Sequence, residues 1–124
     1  MLIRRIALVL TLALGGTHAA NAGGMTGMEL QRWCSNFPKG GTDGLQCATY
    51  MLGFINGLNQ ADGLLDTAQQ AFCLPQGLTA GQAILITNKF MSEHPEELHM
   101  GAAVIIARAL LIAYHCKRSN GAGR

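Results

Sequence analysis

The sequence is short of the residues that perform chemistry. Of its 124 residues, 13% are charged and 6% are aromatic. Its serines are Ser35, Ser92 and Ser119, and none sits in a nucleophile elbow. His94, His99 and His115 have no serine or cysteine partner at a spacing that would build a nucleophile–base pair. Glu96 and Glu97 are adjacent, and neighbours on a helix do not converge on one substrate. His94 and His99, five residues apart, do not form H-E-x-x-H and do not share a helix face. There is no phosphate-binding glycine loop, no C-x-x-C and no C-x-x-C-H. These absences argue against catalysis, and no cofactor and no metal are expected.

Charge of one sign is also missing. The formal charge of +2 comes from Arg4 and Arg5 near the N-terminus; without them seven basic residues face seven acidic ones. No basic patch supports nucleic-acid binding, and no basic amphipathic helix supports membrane-surface binding. The apolar runs are shorter than the roughly 20 residues that a membrane-spanning helix needs.

The two arginines have another use. They precede an apolar stretch, Ile6 to Leu14, and the small-x-small triplets Thr17-His18-Ala19 and Ala20-Asn21-Ala22. This is the layout of a secretory signal peptide, expected over residues 1–22 with cleavage after Ala22 in preference to Ala19. Residues 23–116 then form one small domain and residues 117–124 a disordered tail. Cys34, Cys47, Cys73 and Cys116 all lie beyond the signal, and an even number in a small exported chain reads as disulfides.

Four helices are expected, giving an all-α, disulfide-stapled bundle. Thr26-Gly27-Met28-Glu29 is a capping box, with Met25 and Leu30 placed as a hydrophobic staple. The first helix presents Leu30, Trp33 and Cys34 and stops near Asn36; Trp33 reads as a core anchor. Phe37 to Leu45 reads as a loop because Pro38, Gly40, Gly41 and Gly44 break helix and strand alike. The second helix starts at Cys47. It carries Tyr50, Met51, Phe54, Ile55, Leu58, Ala61 and Leu65 at the i, i+3, i+4 recurrence of one face, and the rest of the chain reads as packed against it. Gly53, Gly57 and Ala61 recur every four residues on this helix. Each interior glycine costs about 1 kcal/mol relative to alanine, so close packing inside the protein is the expected compensation, with contact to a second subunit the alternative.

Phe72-Cys73-Leu74-Pro75-Gln76-Gly77 reads as a pinned turn. Thr79-Ala80-Gly81-Gln82 is a second capping box, opening a third helix to about Ser92 with Ala83, Ile84, Ile86, Phe90 and Met91 inward. Pro95 suits a first helical position, and Glu96 and Glu97 suit the positive end of a helix dipole. The fourth helix, from about His99 to His115, is apolar almost throughout and should be buried on most sides.

Four consecutive helices with short connections alternate up and down. Cys34 ends the first helix and Cys47 begins the second, at one pole. Cys73 follows the second and Cys116 ends the fourth, at the other. The expected pairs are Cys34–Cys47 and Cys73–Cys116.

Taken in order, Trp33-Cys34, Cys47-x-x-Tyr50-x-x-Gly53-x-x-x-Gly57, Phe72-Cys73-Leu74-Pro75 with Gly77 and Thr79, His94-Pro95-Glu96-Glu97-Leu98-His99 and the alanine-rich helix ending at Cys116 resemble the type VI secretion amidase-immunity family, the Tai/Rap immunity proteins. Two departures, Tyr114-His115-Cys116 in place of Phe-Pro-Cys and Gly101 in place of proline, fall at helix ends. The resemblance implies a periplasmic, all-helical and often homodimeric protein. It would bind a peptidoglycan amidase effector and block the active-site cleft. It implies no membrane attachment after signal cleavage. On this reading the partner-binding residues lie in variable segments: Lys39, Thr42 and Asp43 in Lys39 to Gly44 first, then Asp62 and Asp66 in Asp62 to Gln70. The competing readings are a periplasmic acid-stress chaperone and an envelope structural or binding protein without a toxin partner.

Overall fold

A computed structural model describes residues 24–64 and 72–117. The stretch expected to be a signal peptide, Asp66 and all but Lys117 of the expected tail fall outside the described residues. Within them the chain forms four α-helices, α1 (Gly27–Cys34), α2 (Gly41–Gly63), α3 (Ala80–Glu93) and α4 (Ala102–Ala113), with a 3-10 turn at Pro95–Glu97. No strand occurs among the described residues, only the isolated bridges Thr26–Gly101 and Phe72–His115.

Both capping boxes form. The Thr26 hydroxyl accepts from the Glu29 amide at 3.3 Å while the Glu29 carboxylate accepts from the Thr26 amide at 2.8 Å. Thr79 and Gln82 exchange the same pair of bonds at 3.1 Å each. Each box satisfies amide donors that a helix start otherwise leaves without a partner. The start of α1 is also bound to the segment before α4. Gly27 N–H donates to the Met100 carbonyl at 2.8 Å, Met28 N–H to Leu98 at 3.0 Å, and Ala102 N–H to Met25 at 2.7 Å. This close approach requires Gly27, because a Cβ there would lie 2.9 Å from the Leu98 carbonyl oxygen.

The second helix begins earlier than expected. Gly40, with φ of 113°, turns the chain in the left-handed region that glycine tolerates, and α2 starts at Gly41. Glycine therefore breaks the chain at Gly40, whereas Gly44 sits inside the helix and is buried there. Thr42 and Asp43 lie in the first turn of α2 rather than in a projecting loop. The fourth helix is shorter than expected: His99 to Gly101 remain outside it, and Pro95 opens the 3-10 turn instead of an α-helix.

The core draws on all four helices: Leu30 and Cys34 from α1, Cys47, Met51 and Ile55 from α2, Ala83, Ile84, Phe90 and Met91 from α3, and Ala102, Ile105, Ile106, Ala109 and Leu110 from α4. α1 and α3 each pack against the other three helices, whereas α2 packs mainly against those two. The polar Thr87 of α3 is fully buried, and Asn88 Nδ2 donates to the Cys34 carbonyl at 2.9 Å, tying α3 to the end of α1. Apolar periodicity identified the buried positions Cys47, Met51 and Ile55 of α2 but gave no measure of how many neighbours it touches. Cys34–Cys47 joins α1 to the second turn of α2, and Cys73–Cys116 joins the segment before α3 to the chain just after α4.

Candidate partner-binding surface

With α1 and α3 each packed against the other three helices, one long side of α2 faces outward. Between Asp43 and Asp62 this helix carries no charged residue. Over those 18 positions, about 27 Å at 1.5 Å per residue, the exposed residues are uncharged and include Leu45, Thr49, Leu52, Asn56 and Gln60. Leu45 and Leu52 are 68% and 52% exposed, which marks them as surface residues despite their apolar character. Beside them Trp33 of α1 meets Leu45, Gln46, Thr49 and Tyr50 around an open, mainly apolar cleft of about 360 Å³. Trp33 is half-buried: one part of the ring packs on the core and another lines the cleft. A tryptophan and a tyrosine set in an uncharged, leucine-bearing surface match the composition of interface centres, where aromatic residues are enriched and charged ones depleted.

The glycine stripe belongs to this outward side. A Cβ added at Gly53 or Gly57 would meet nothing within 4 Å, and Ala61 is exposed. Internal packing therefore does not offset the helix-propensity cost of these glycines. Their effect is to leave a shallow lane along α2, open to another surface.

Of the residues expected to bind a partner, Lys39, Thr42 and Asp43 are exposed and lie together at the N-terminal end of α2. Thr42 shares a helix side with Leu45 and Gln46, three and four positions on, so this group borders the cleft. Asp62 is half-buried in the last turn of α2. It lies 19 positions after Asp43, about 28 Å along a helix, so the two do not form one site. Asp66 falls outside the described residues. Trp33, Leu45, Thr49, Tyr50 and Leu52 were not singled out as binding residues from sequence. The available signal was the charge-free run in α2 together with leucines lying off the core-facing recurrence.

A second apolar groove runs between α3 and α4. It is about 250 Å³, with Ile86, Phe90, Ala109 and Ile112 below and the Lys89–Glu93 ion pair, 3.9 Å, on its rim. Ile112 is 66% exposed, and Val104 and Leu111 are exposed as well. The fourth helix is thus buried on one side only, contrary to the expectation drawn from its composition. Arg108 extends from it to Glu97 at 2.6 Å, holding the 3-10 turn against the helix.

His94, His99 and Glu29 have structural partners. His94 Nδ1 lies 2.9 Å from the Phe90 carbonyl, and its ring stacks on Phe90 at 4.2 Å. His99 Nδ1 lies 2.9 Å from the Glu96 carbonyl. The Glu29 carboxyl is held below its ordinary range, first by the Thr26 amide and then by the Thr26 hydroxyl, as its role in the cap requires. Among the described residues no three His, Cys, Asp or Glu side chains gather where they could hold a metal ion, and no helix is long and apolar enough to cross a membrane.

Comparison with known proteins agrees with a binding role. No curated protein and no solved structure was found to match the chain. The family model of the Rap1a immunity proteins, however, matches residues 26–116, from the Thr26 cap to the last cysteine. With about three quarters of its length matched, the chain belongs to the Rap1a immunity protein family, a type VI secretion immunity family, and is an immunity protein against a secreted effector.

Proposed function

We propose that the chain is a periplasmic immunity protein that binds a type VI secreted peptidoglycan amidase and occludes its substrate cleft. Export follows from the signal peptide expected over residues 1–22. Occlusion needs no chemistry from the inhibitor, only a surface that excludes peptidoglycan from the enzyme. The observation that carries this reading is the uncharged outward side of α2 with the Trp33 cleft beside it. Trp33, Tyr50, Leu45 and Leu52 act as apolar anchors, and Lys39, Thr42 and Asp43 form a polar rim that selects the partner.

The open lane over Gly53 and Gly57 favours a second use of the same helix, pairing with another copy of the chain, since small residues allow two helix backbones to approach closely. Sedimentation of the oxidised protein over a range of concentrations distinguishes a dimer from a monomer.

The functional test is co-purification with the effectors encoded nearby, followed by a peptidoglycan amidase assay with and without the protein. Tight binding with loss of hydrolysis is expected. Tight binding with undiminished hydrolysis would contradict occlusion, and no binding to any amidase would contradict the choice of target.

A further inference from the structure

The two disulfides differ in their access to solvent. Cys34 and Cys47 are both 0% exposed, enclosed in the core between α1 and α2. Cys73 is exposed and Cys116 half-buried, at the outer edge of the bundle. Thiol–disulfide exchange requires a thiolate to reach a disulfide sulfur, so access decides which bond reacts. We propose that Cys73–Cys116 is a reducible latch that a protein dithiol opens in the folded state, while Cys34–Cys47 is a permanent staple.

The step is a two-electron exchange. A thiolate of the dithiol attacks the sulfur of Cys73, the more exposed cysteine of the pair, and forms a mixed disulfide, and Cys116 leaves as the thiolate. The second thiol of the reductant then attacks the mixed disulfide, releasing the Cys73 thiol. The protein ends as a dithiol and the reductant as a disulfide.

Opening the latch has a local consequence. Beyond the covalent bond, the segment at Cys73 is tied to the end of α4 by the Cys73 N–H bond to the Tyr114 carbonyl, 3.1 Å, and the Phe72–His115 bridge. The following residues, Leu74 to Leu78, form with Ile55 and Asn59 of α2 a cleft of about 320 Å³. Reduction frees that segment to move and reshapes the surface beside the second half of α2. The buried core cluster includes Cys34 and Cys47 but neither Cys73 nor Cys116.

The oxidised chain treated with graded dithiothreitol, alkylated with iodoacetamide and mapped by mass spectrometry tests this, with helical circular dichroism followed in parallel. Cys73 and Cys116 should become alkylated at least about tenfold faster than Cys34 and Cys47, as access to sulfur dictates, with the helical signal retained. A Cys73→Ser/Cys116→Ser variant should remain helical and keep Cys34–Cys47 resistant. A reduced thioredoxin-type protein lacking its resolving cysteine should be trapped on Cys73. Labelling of all four cysteines together, earlier labelling of Cys34 and Cys47, trapping at Cys34 or Cys47, no trapping at all, or helix loss in step with the first reduction would each refute the latch.

Discussion

Gly27 shows how a single position can depend on contacts that its own helix does not reveal. From sequence it is one residue of a capping box; in the fold the Leu98 carbonyl lies where its Cβ would be. Gly27→Ala should therefore destabilise the protein by about 1–3 kcal/mol, the usual cost of overpacking a well-filled site, measured by urea unfolding. An unchanged midpoint would show that the α1–α4 contact yields easily. Glu29 carries a pH dependence. Its folded-state pKa is lowered from 4.5, so its contribution is present above that value and is lost as pH falls below it toward the folded pKa. Glu29→Gln, which keeps an acceptor for the cap, should flatten the loss of thermal stability between neutral and acid pH. An acid limb identical to that of the parent protein would place the sensitivity elsewhere. The capping boxes were readable because they are local: two residues three positions apart specify both hydrogen bonds. The steric demand on Gly27 was not, because Leu98 lies 71 positions away.

At the scale of the element, α2 separates what periodicity conveys from what it omits. The apolar recurrence identified the core-facing residues Cys47, Met51 and Ile55, and the fold buries them. It could not state whether the opposite side would be covered, since that depends on where α3 and α4 settle. The glycine stripe illustrates the difference, having read as an internal contact while facing solvent. Gly53→Ala and Gly57→Ala should each stabilise the isolated protein by about 0.5–1 kcal/mol, since alanine is the better helix former and nothing occupies the space. A fall in melting temperature would mean that the stripe is packed after all. The same substitutions should weaken any close helix pairing between two copies. The fourth helix is the reverse case: its composition suggested burial on most sides, yet a bundle of this size has too few neighbours to cover it, so Val104, Leu111 and Ile112 stay exposed.

For the molecule as a whole, two staples act on chain segments of different length. Cys34–Cys47 closes 13 residues and Cys73–Cys116 closes 43, contributing about 3 and 4 kcal/mol respectively if unfolded-chain entropy dominates. Cys73→Ser/Cys116→Ser should lower unfolding free energy by about 3–4 kcal/mol while leaving a folded protein, as denaturant titration would show. Complete loss of structure would mean that the core cannot stand on one staple. The all-helical architecture was legible because helix starts, apolar recurrences and cysteine positions are all written locally. The binding surface was less so. The polar, glycine-rich setting of Lys39, Thr42 and Asp43 indicated exposed residues, as the fold shows, but the larger apolar surface arises only when α1 places Trp33 beside Tyr50 and Leu45.

That surface is the central claim, and one measurement tests it most directly: titration of the amidase effector's peptidoglycan hydrolysis with the oxidised protein and with Leu45→Glu/Leu52→Glu. Both leucines are exposed, so the variant should melt at the same temperature as the parent. The account predicts that the parent suppresses hydrolysis at near-equimolar ratio and that the variant needs about 100-fold more, the effect of charging the centre of an apolar interface. Equal inhibition by the two proteins would contradict the assignment of the effector to this side of α2.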